Sequence, residues 1–436
     1  MKSQTDVIII GAGIIGCAIA YEMSKQGYRT LNIDKLSAAG AGSTINSCAN
    51  IRAYYSTRDG VAMAYECFFY WKNWRQYLDV EDERGFAEFK NIGSVLLKSK
   101  GLNWKRVLQN FEEVGLEHED WDLKTLKQKM PMCNFHTFFP PKRPDDDQFW
   151  EEGSQGELEG GVFTPGSGYV SDPQLSTHNL QRAAEAKGGQ FILNAKVIEI
   201  LKNENRVSGV VLNNGDRIEA PIIVNASGPH SYLLNDLAGV SEEMKIKTRA
   251  LRHEVHHVPA PKGINFEEVG FHTNDGDTGS YFRPEVGNNI LVGSVDPECD
   301  PKDWVDDPDD YNRDVTEAQW KTQVYRLAKR MPALEIPTKP QGIADLYDVS
   351  DDWIPIYDKS SLQGFYLAVG TSGNQYKTAP VVGAMMTEMI KACEDGADQD
   401  TNPLQFKLKH TGLSINTSAF SRLREINKNS SFSVIG

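Results

Sequence analysis

Three glycines near the start of the chain have the spacing of a turn that cradles a pyrophosphate. Gly11, Gly13 and Gly16 follow the apolar run Val7–Ile10. They suit a tight turn, a close approach of backbone to phosphate, and close packing of a helix on a strand. Asp34 ends a second apolar run 23 positions after Gly11, where a carboxylate can bind a ribose diol. The pattern predicts a dinucleotide site that favours FAD or NAD over NADP.

Two further segments favour FAD over NAD. Residues 38–52 are mostly small and carry one charge, that of Arg52, so their backbone could lie against a flat isoalloxazine ring. Residues 365–369 read as a strand, residues 370–377 as a second glycine-rich turn, and residues 379–390 as an apolar helix. The dipole of that helix would stabilise negative charge on a reduced flavin. An NAD-dependent dehydrogenase is the weaker alternative.

These motifs resemble a known family in their order and separation. The first glycine turn, the turn Asn225-Ala226-Ser227-Gly228 and the turn at 370–377 look like the amine-oxidising FAD family. That family includes monomeric sarcosine oxidase, the β subunit of heterotetrameric sarcosine oxidase, glycine oxidase and D-amino acid oxidase. The resemblance covers essentially the whole chain. It is strongest for the sarcosine oxidase branch, whose pattern residues 51–55, 281–284, 290–293, 346–348 and 413–418 and Arg422 also match.

The resemblance implies an α/β fold of mixed α+β character. A Rossmann-type FAD-binding domain of the glutathione-reductase-like kind would be interleaved with a mixed-sheet substrate domain. A chain of 436 residues also exceeds the roughly 250–300 residues at which one core stops growing, which favours two domains. We expect the FAD-binding domain at 1–88, 155–243 and 343–436, and the substrate-binding domain at 89–154 and 244–342.

The implied reaction is oxidation of the C–N bond of an N-substituted α-amino acid, such as sarcosine or a related N-alkyl glycine. Hydride would pass to flavin N5, and water would then hydrolyse the imine. By motif, Arg52 and Lys377 hold the substrate carboxylate, as a desolvated anion requires compensating positive charge. The candidate orienting groups are Tyr54, Tyr55, Tyr281, His253 and Tyr347.

Cofactor contacts are expected from the three turns, from the segment of small residues and from a strand near the adenine. They are Gly11, Ala12, Gly13, Ile14, Ile15, Gly16, Asp34, Lys35, Gly42, Ser43, Thr44, Ser47, Cys48, Ala49, Asn50, Val197, Ala226, Ser227, Gly228, Gly370, Ser372, Gly373, Asn374, Gln375, Tyr376 and Lys377.

Two positions depart from the pattern of the monomeric sarcosine oxidases. Those enzymes have a cysteine that bonds the flavin where this chain has Asp345, so the resemblance here implies FAD without a covalent bond. They also have a lysine implicated in the reaction with oxygen where this chain has Leu291. This loss favours a dehydrogenase with a redox partner, although oxygen stays open as the electron acceptor.

The segment His253-Glu254-Val255-His256-His257 matches a zinc motif that requires a helix. Pro259 follows closely and the apolar residues alternate, so we predict a strand and no metal site. Arg252, His253 or His256 could instead point toward the substrate. The acidic segment 296–314 is predicted to be a solvated surface loop, with a partner-docking patch as the alternative.

Composition excludes a general nucleic-acid binder. With 46 basic and 60 acidic residues, the net charge is −14, which would repel a polyanion. Six scattered cysteines and the lack of a membrane-length apolar run predict a cytoplasmic enzyme without a transmembrane segment. A homo-oligomer is possible. The alternatives are a D-amino acid or 2-hydroxy acid dehydrogenase and, in another class, a non-catalytic flavoprotein assembly factor.

Overall fold

The structure, a computed structural model, describes residues 5–151 and 154–435. The helices in chain order are α1 (Ile14–Lys25), α2 (Arg58–Lys72), α3 (Trp74–Leu78), α4 (Trp104–Val114), α5 (Leu123–Lys129), α6 (Pro173–Ala186), α7 (Ser231–Ala238), α8 (Phe266–Val269), α9 (Glu317–Arg330) and α10 (Ala379–Glu394).

The strands in chain order are β1 (Val7–Ile10), β2 (Thr30–Ile33), β3 (Asn50–Ile51), β4 (Phe89–Lys90), β5 (Ser94–Leu97), β6 (Glu119–Asp122), β7 (His136–Thr137), β8 (Ser154–Glu157), β9 (Gly160–Thr164), β10 (Gly168–Val170), β11 (Gln190–Ile192), β12 (Val197–Asn203), β13 (Arg206–Leu212), β14 (Arg217–Glu219), β15 (Ile222–Asn225), β16 (Thr248–Pro259), β17 (His272–Asp275), β18 (Ser280–Glu285), β19 (Asn289–Ser294), β20 (Asp303–Val305), β21 (Gly342–Ser350), β22 (Ile356–Lys359), β23 (Phe365–Val369), β24 (Gln405–Lys407) and β25 (Ser414–Asn416).

A six-stranded sheet has the order β11-β2-β1-β15-β23-β22. β1 pairs in parallel with β2 and β15, β15 with β23, and β2 with β11, whereas β22 runs antiparallel to β23. Every residue of β1 is buried, because a parallel sheet is covered on both faces and favours continuous apolar runs. The strands predicted from the sequence at β1, β2, β15 and β23 all lie in this sheet.

Two layers cover the six-stranded sheet. On one face, Val7 and Ile9 belong to a core cluster with apolar residues of α1, α6 and α10. On the other face, Ile8 and Ile10 pack with β12, β13 and α7. Successive side chains of a strand point to opposite faces, so β1 contributes to both cores. The sheet is therefore the middle layer of a Rossmann-type arrangement.

A second, mixed sheet has nine strands. Its order is β20-β16-β19-β18-β17-β5-β9-β6, and β21 also pairs with β16. β17 and β5 are parallel, whereas β16, β18 and β19 are joined by antiparallel pairing. Val258, Phe282 and Val292 of this sheet pack in one core with apolar side chains of α9. The mixed α/β fold predicted from the sequence is confirmed.

Strands of the two sheets alternate along the sequence. β9 and β21, which we assigned by sequence to the FAD-binding domain, belong to the nine-stranded sheet. The division into an FAD-binding domain and a substrate-binding domain stays our proposal. Its boundaries are shifted so that β9 and β21 belong to the substrate-binding domain. In the part of the chain that the structure describes, no helix has the length and apolar character needed to cross a membrane.

Candidate active site

A cavity of about 900 Å³ lies between the carboxyl ends of the six-stranded sheet and one face of the nine-stranded sheet. Ile10, Ile33 and Ala226 line it from the ends of β1, β2 and β15, while His253 and Tyr281 line it from β16 and β18. Open parallel sheets bind ligands beyond the carboxyl ends of their strands. The topology therefore places this cavity where a cofactor is expected.

The N-terminus of α1 faces this cavity through Gly13, Ile14 and Ile15. Its first turn, all of it described, has no acidic residue, and the N-cap Gly13 makes no side-chain hydrogen bond. A Cβ at Gly11, whose φ is +117°, would lie 2.3 Å from the Ala226 carbonyl oxygen, and one at Gly16 would lie 2.2 Å from the Gly11 oxygen. Glycine is required at both places. The Ile14 amide donates to Thr44 Oγ1, and the other N–H groups of this first turn are left for an anion.

Asp34 lies at the cavity wall directly after β2. Its Oδ2 accepts a hydrogen bond from the Ala12 amide at 2.7 Å, and its Oδ1 accepts one from the Leu36 amide at 2.8 Å. These bonds fix the carboxylate, and a carboxylate retains lone pairs for further donors. Lys35 Nζ lies 2.7 Å from His230 Nε2, in the same wall.

Small residues of the segment 41–50 form another side of the cavity. Thr44 Oγ1 accepts a hydrogen bond from the Ile14 amide at 3.2 Å, and the Ser43 hydroxyl donates to the Leu346 carbonyl at 2.8 Å. Asn50 Oδ1 is buried and accepts no hydrogen bond from the described residues. The lining residues of this segment are Ala41, Gly42, Ser43, Thr44, Asn46, Ser47, Cys48, Ala49 and Asn50.

The second glycine turn approaches the cavity beside Tyr347. Gly373 has a φ of +66°, and a Cβ there would lie 2.4 Å from the Tyr347 ring. The absence of a side chain at Gly373 therefore lets the ring pack on the turn. Thr371, Gly373, Asn374, Gln375, Tyr376 and Lys377 of this turn line the cavity.

Two buried cations line the cavity without a carboxylate partner. Arg52 is 5% exposed and Lys377 is 2% exposed. Among residues 5–151 and 154–435, neither forms an ion pair with an acidic side chain; Arg52 donates to the carbonyl oxygens of Tyr54 and Val434, and Lys377 donates to Tyr55 Oη and the Asn374 carbonyl. Burial and the Arg52 charge hold the pKa of Lys377 well below its usual range. An anionic ligand would supply the missing charge.

Neutral aromatic groups surround the two cations. Burial raises the pKa of Tyr54 and Tyr281, and it raises the pKa of Tyr55 to about 12. Burial and the charges of Arg52, Arg283 and Lys377 lower the pKa of His272 well below its usual range. The phenols and this imidazole are therefore neutral at pH 7, and they can orient an amine without adding charge.

His253 contacts both an aromatic ring and a carboxylate. Its ring stacks on that of Tyr347, with centroids 4.3 Å apart, and its Nε2 lies 2.9 Å from Asp296 Oδ1. The segment 253–257 lies within β16, as predicted, so its histidines do not form the helical pair of a zinc motif. His256 is buried against Trp320 of α9 and does not line the cavity, and Arg252 binds backbone oxygens of Asn312 and Asp314.

Most of the residues proposed from the sequence lie in the cavity wall, but seven do not: Ala12, Gly16, Tyr55, Arg252, His256, Gly370 and Ser372. Gly16 serves helix packing, and Ala12 donates to Asp34. Tyr55 lies behind Lys377, where its hydroxyl donates to the Asn374 carbonyl. These residues support the wall and do not form it.

The acidic segment 296–314 is largely the exposed surface loop that the sequence predicts, but part of it packs on the nine-stranded sheet and lines the cavity. Asp300 is buried, the side chain of Asp296 is 6% exposed, and β20 pairs with β16. Pro308, Asp309, Tyr311 and Arg313 line the cavity, and Asp309 forms ion pairs with Lys35 and Lys196. The acidic residues are thus used against nearby cations, which composition alone does not reveal.

Sequence reasoning missed several lining residues, namely His272, Asn274, Asp348 and Val434. No motif marks His272, Asn274 or Val434. Asp348 accepts hydrogen bonds from the Ser231 hydroxyl and the Gly370 amide; burial raises its pKa to about 7, although these bonds act in the opposite direction. Residues 346–348, Leu-Tyr-Asp, match the family pattern. Of the four missed residues, Asp348 is therefore the one that the sequence could have indicated.

The comparisons with known proteins agree with this geometry. The family model described as DAO, FAD dependent oxidoreductase, matches residues 6–389. The chain belongs to this family. Its cofactor is FAD, and because Asp345 replaces the flavin-bonding cysteine, it is held non-covalently. The protein is therefore an oxidoreductase of the DAO family.

Individual relatives are distant in sequence but similar over most of the chain. FAD-dependent oxidoreductase domain-containing protein 1 from Bos taurus is 24% identical over 89% of this chain and 81% of its own. Human mitochondrial sarcosine dehydrogenase is 23% identical over 85% of this chain and 38% of its own. The crystal structure of L-proline dehydrogenase from P. horikoshii is 21% identical, with a TM-score of 0.72 over 92% of this chain and 96% of that one.

The residues of the cavity fit FAD. The α1 N-terminus offers free N–H groups to a pyrophosphate, and Asp34 offers a carboxylate to a ribose. Asn50 Oδ1 supplies an unsatisfied buried acceptor beside the small-residue segment. The helix N-terminus and Asp34 match the pyrophosphate and ribose of FAD, and Asn50 matches its ring.

Proposed function

We propose that this protein oxidises the C–N bond of an α-amino acid that carries an alkyl substituent on nitrogen, sarcosine or a related N-alkyl glycine. The observation that carries the proposal is the pair of buried cations, Arg52 and Lys377, which have no acidic partner among the described residues. An uncompensated buried charge is costly. A substrate carboxylate would remove that cost and would be bound by both groups.

The aromatic wall supports a substituted amine. Tyr54 and Tyr281 are buried and Tyr347 is partly buried. All three stay neutral because burial raises the pKa of each phenol. Their rings offer apolar surface to an N-alkyl group and oxygens to the nitrogen. They also exclude water from the carbon that loses hydride. Bound FAD supplies the hydride acceptor.

A panel of amino acids tests this proposal. We expect sarcosine, N-ethylglycine or L-proline to bleach the visible flavin absorbance of the anaerobic holoenzyme, because each has a carboxylate and a secondary amine. D-Alanine and glycolate are the comparison compounds. Bleaching by glycolate alone would contradict the proposal in favour of a 2-hydroxy acid dehydrogenase, and bleaching by D-alanine alone would favour a primary D-amino acid. A stable partner complex with no bleaching by any compound would indicate an assembly factor.

We also propose that the enzyme is a dehydrogenase. Leu291 lies on β19, at the position where the resemblance would place the oxygen-reactive lysine, and an apolar side chain provides no charge for developing superoxide. The expected result is slow oxygen consumption during turnover and faster turnover with an artificial electron acceptor. Oxygen consumption as fast as dye reduction would contradict this.

A further inference from the structure

The segment 306–314 reaches from one wall of the cavity to the other. It starts directly after β20, which pairs with β16 of the nine-stranded sheet. Four of its residues line the cavity, namely Pro308, Asp309, Tyr311 and Arg313. We call this segment the strap, because its two ends are attached to the nine-stranded sheet and its middle contacts the opposite wall.

Both ends of the strap are held by bonds to strands of the nine-stranded sheet. At its start, the pairing of β20 with β16 holds it. At its end, Arg252 of β16, whose side chain is 5% exposed, donates to the carbonyl oxygens of Asn312 and Asp314, each at 2.7 Å. The Tyr311 hydroxyl donates to Asp345 Oδ1 of β21 at 3.0 Å. Hydrogen bonds from a charged donor are strong and burial removes the competition of water, so the two ends stay attached.

The middle of the strap is held by an exposed carboxylate. Asp309 forms ion pairs with Lys35 and with Lys196, whose Nζ lies 3.4 Å from Asp309 Oδ2. The side chains of Asp309 and Lys196 are 43% and 57% exposed. The Tyr232 hydroxyl of α7 adds one hydrogen bond, to the Asp306 carbonyl at 2.5 Å. Exposed ion pairs are individually weak and are screened by salt, so the middle of the strap can detach while its ends stay bound.

The ion pairs of Asp309 lie beside the residues that fit the adenosine part of FAD. Lys35 directly follows Asp34, the carboxylate suited to the ribose, and both line the cavity. Lys196 directly precedes Val197, and these two residues also line the cavity at the start of β12. A strap that detaches from Lys35 and Lys196 would therefore uncover the adenosine side of the cavity.

We propose that the strap retains FAD and that Asp309 is the latch by which it opens. With the ion pairs of Asp309 formed, the strap closes the adenosine side of the cavity. When these pairs break, residues 306–310 move away from Lys35, and FAD can enter or leave. No covalent bond changes in this step. The proposal does not depend on which amino acid is oxidised, because release of the cofactor needs no substrate.

The rate of FAD release tests the latch directly. We expect Asp309→Asn to release FAD about 5-fold faster than the wild type, because two partly exposed ion pairs are lost. Asp310→Asn is the matched control, since it removes the same charge from the same turn and Asp310 forms no ion pair within residues 5–151 and 154–435. Asp309→Glu keeps the charge and should release FAD at nearly the wild-type rate. The rate is measured by desalting the holoenzyme at intervals and reading the flavin absorbance that stays with the protein.

The salt dependence of release distinguishes a latch from a purely structural role. In the wild type, we expect the release rate to rise about 5-fold between low salt and about 0.5 M NaCl, because screening weakens the ion pairs of Asp309. In Asp309→Asn the rise should be much smaller, whereas Asp310→Asn should behave as the wild type does. Screening of the FAD phosphates is common to all three proteins. The measurements are made at about pH 8, where His230, whose Nε2 lies 2.9 Å from Asp309 Oδ1 and whose pKa burial lowers, is neutral.

Three results would overturn the proposal. Release from Asp309→Asn at the wild-type rate, or more slowly, would show that Asp309 does not retain the cofactor. Equal salt dependence in the wild type and Asp309→Asn would show that the ion pairs do not hold the strap. Equally fast release from Asp310→Asn would assign the effect to net charge and not to the latch. If no N-alkyl amino acid bleaches the flavin, the proposed function fails, whereas these release rates still test the strap.

Discussion

The two buried cations of the cavity, Arg52 and Lys377, differ from the buried arginines on the α9 face of the nine-stranded sheet in the groups that surround them. On the face covered by α9, Arg330 is fully buried and binds Asp275 and Asp277, and Arg326 binds Asp300. In the cavity, Arg52 and Lys377 are also buried but meet backbone oxygens and a phenol. The first group is compensated within the fold, and the second is left for a ligand.

The presence or absence of a carboxylate partner distinguishes a charge that stabilises the fold from a charge that can bind a ligand. Breaking a buried ion pair leaves the other charge stranded and destabilises the fold. Removing a cation that has no acidic partner strands no charge, so the main loss falls on the ligand it would bind. Burial alone therefore does not identify a functional cation, whereas burial without a counter-charge does.

The largest expected effect is on the α9 face. Arg330→Met should lower the free energy of unfolding by about 3–5 kcal/mol, because it leaves Asp275 and Asp277 buried without their cation. Urea unfolding measures it. Substrate affinity at temperatures where the variant is folded should stay near that of the wild type. A variant as stable as the wild type would contradict the pairing argument.

In the cavity, Arg52→Met should reduce kcat/KM about 100-fold, or ~2.7 kcal/mol, as expected for lost hydrogen bonds between a guanidinium and a carboxylate. Anaerobic flavin reduction at varied substrate concentration measures this loss. The free energy of unfolding should change less than in Arg330→Met, since no carboxylate is stranded. Large destabilisation with unchanged kinetics would remove Arg52 from the substrate site.

Lys377 should make ligand binding depend on pH. Its pKa lies well below the usual range because of burial and the Arg52 charge, so the ammonium is lost as pH rises through that lowered pKa. Affinity for a simple carboxylate such as propionate should therefore fall with rising pH by roughly 10-fold, read from the flavin spectrum.

The Lys377 dependence has two controls. Lys377→Met should bind propionate weakly at all these pH values, and Arg52→Met should move the transition to higher pH because one repelling charge is gone. The same lowered pKa makes stability rise with pH, since the unfolded chain binds the proton more tightly in that window. A flat binding profile in the wild type would contradict the assignment.

The smallest expected effect comes from an exposed pair. Lys391 lies in the last turn of α10, Asp395 follows the end of that helix directly, and both side chains are largely exposed. Because solvent screens such pairs, Lys391→Met should leave both the urea midpoint and kcat/KM without a measurable change. A clear loss of stability would show that an exposed ion pair can stabilise the fold as a buried one does, which would contradict our comparison.

The first turn of the protein could be predicted because its chemistry is local. Gly11, Gly13 and Gly16 lie in a strand, a turn and a helix that are continuous in sequence, and Gly16 is required by its contact with the Gly11 carbonyl oxygen. The contact that requires Gly11, with the Ala226 carbonyl oxygen, is not local and needed the structure. The turn at 370–377 is also continuous in sequence with a strand and a helix that flank its glycines. The family resemblance then identified Arg52 and Lys377, whose placement in the cavity needed the structure.

The rest of the site depends on contacts between distant parts of the chain. Asp296 reaches His253 through a turn of unusual φ after β19, and no local pattern signals it. The segment around Asp309 reads as an exposed acidic loop until Lys35, which is 274 positions away, is placed beside it. Such pairings are set by sheet topology, which a single sequence leaves open.

Arg52 is synthesised well before one of its hydrogen-bond acceptors, the Val434 carbonyl. The two residues are 382 positions apart, and ribosomes add about 5–20 residues per second. Arg52 therefore leaves the ribosome roughly 20 to 80 seconds before Val434 exists. During that interval the guanidinium lacks one of its two carbonyl acceptors, so the carboxylate site that we propose is incomplete until Val434 has been added.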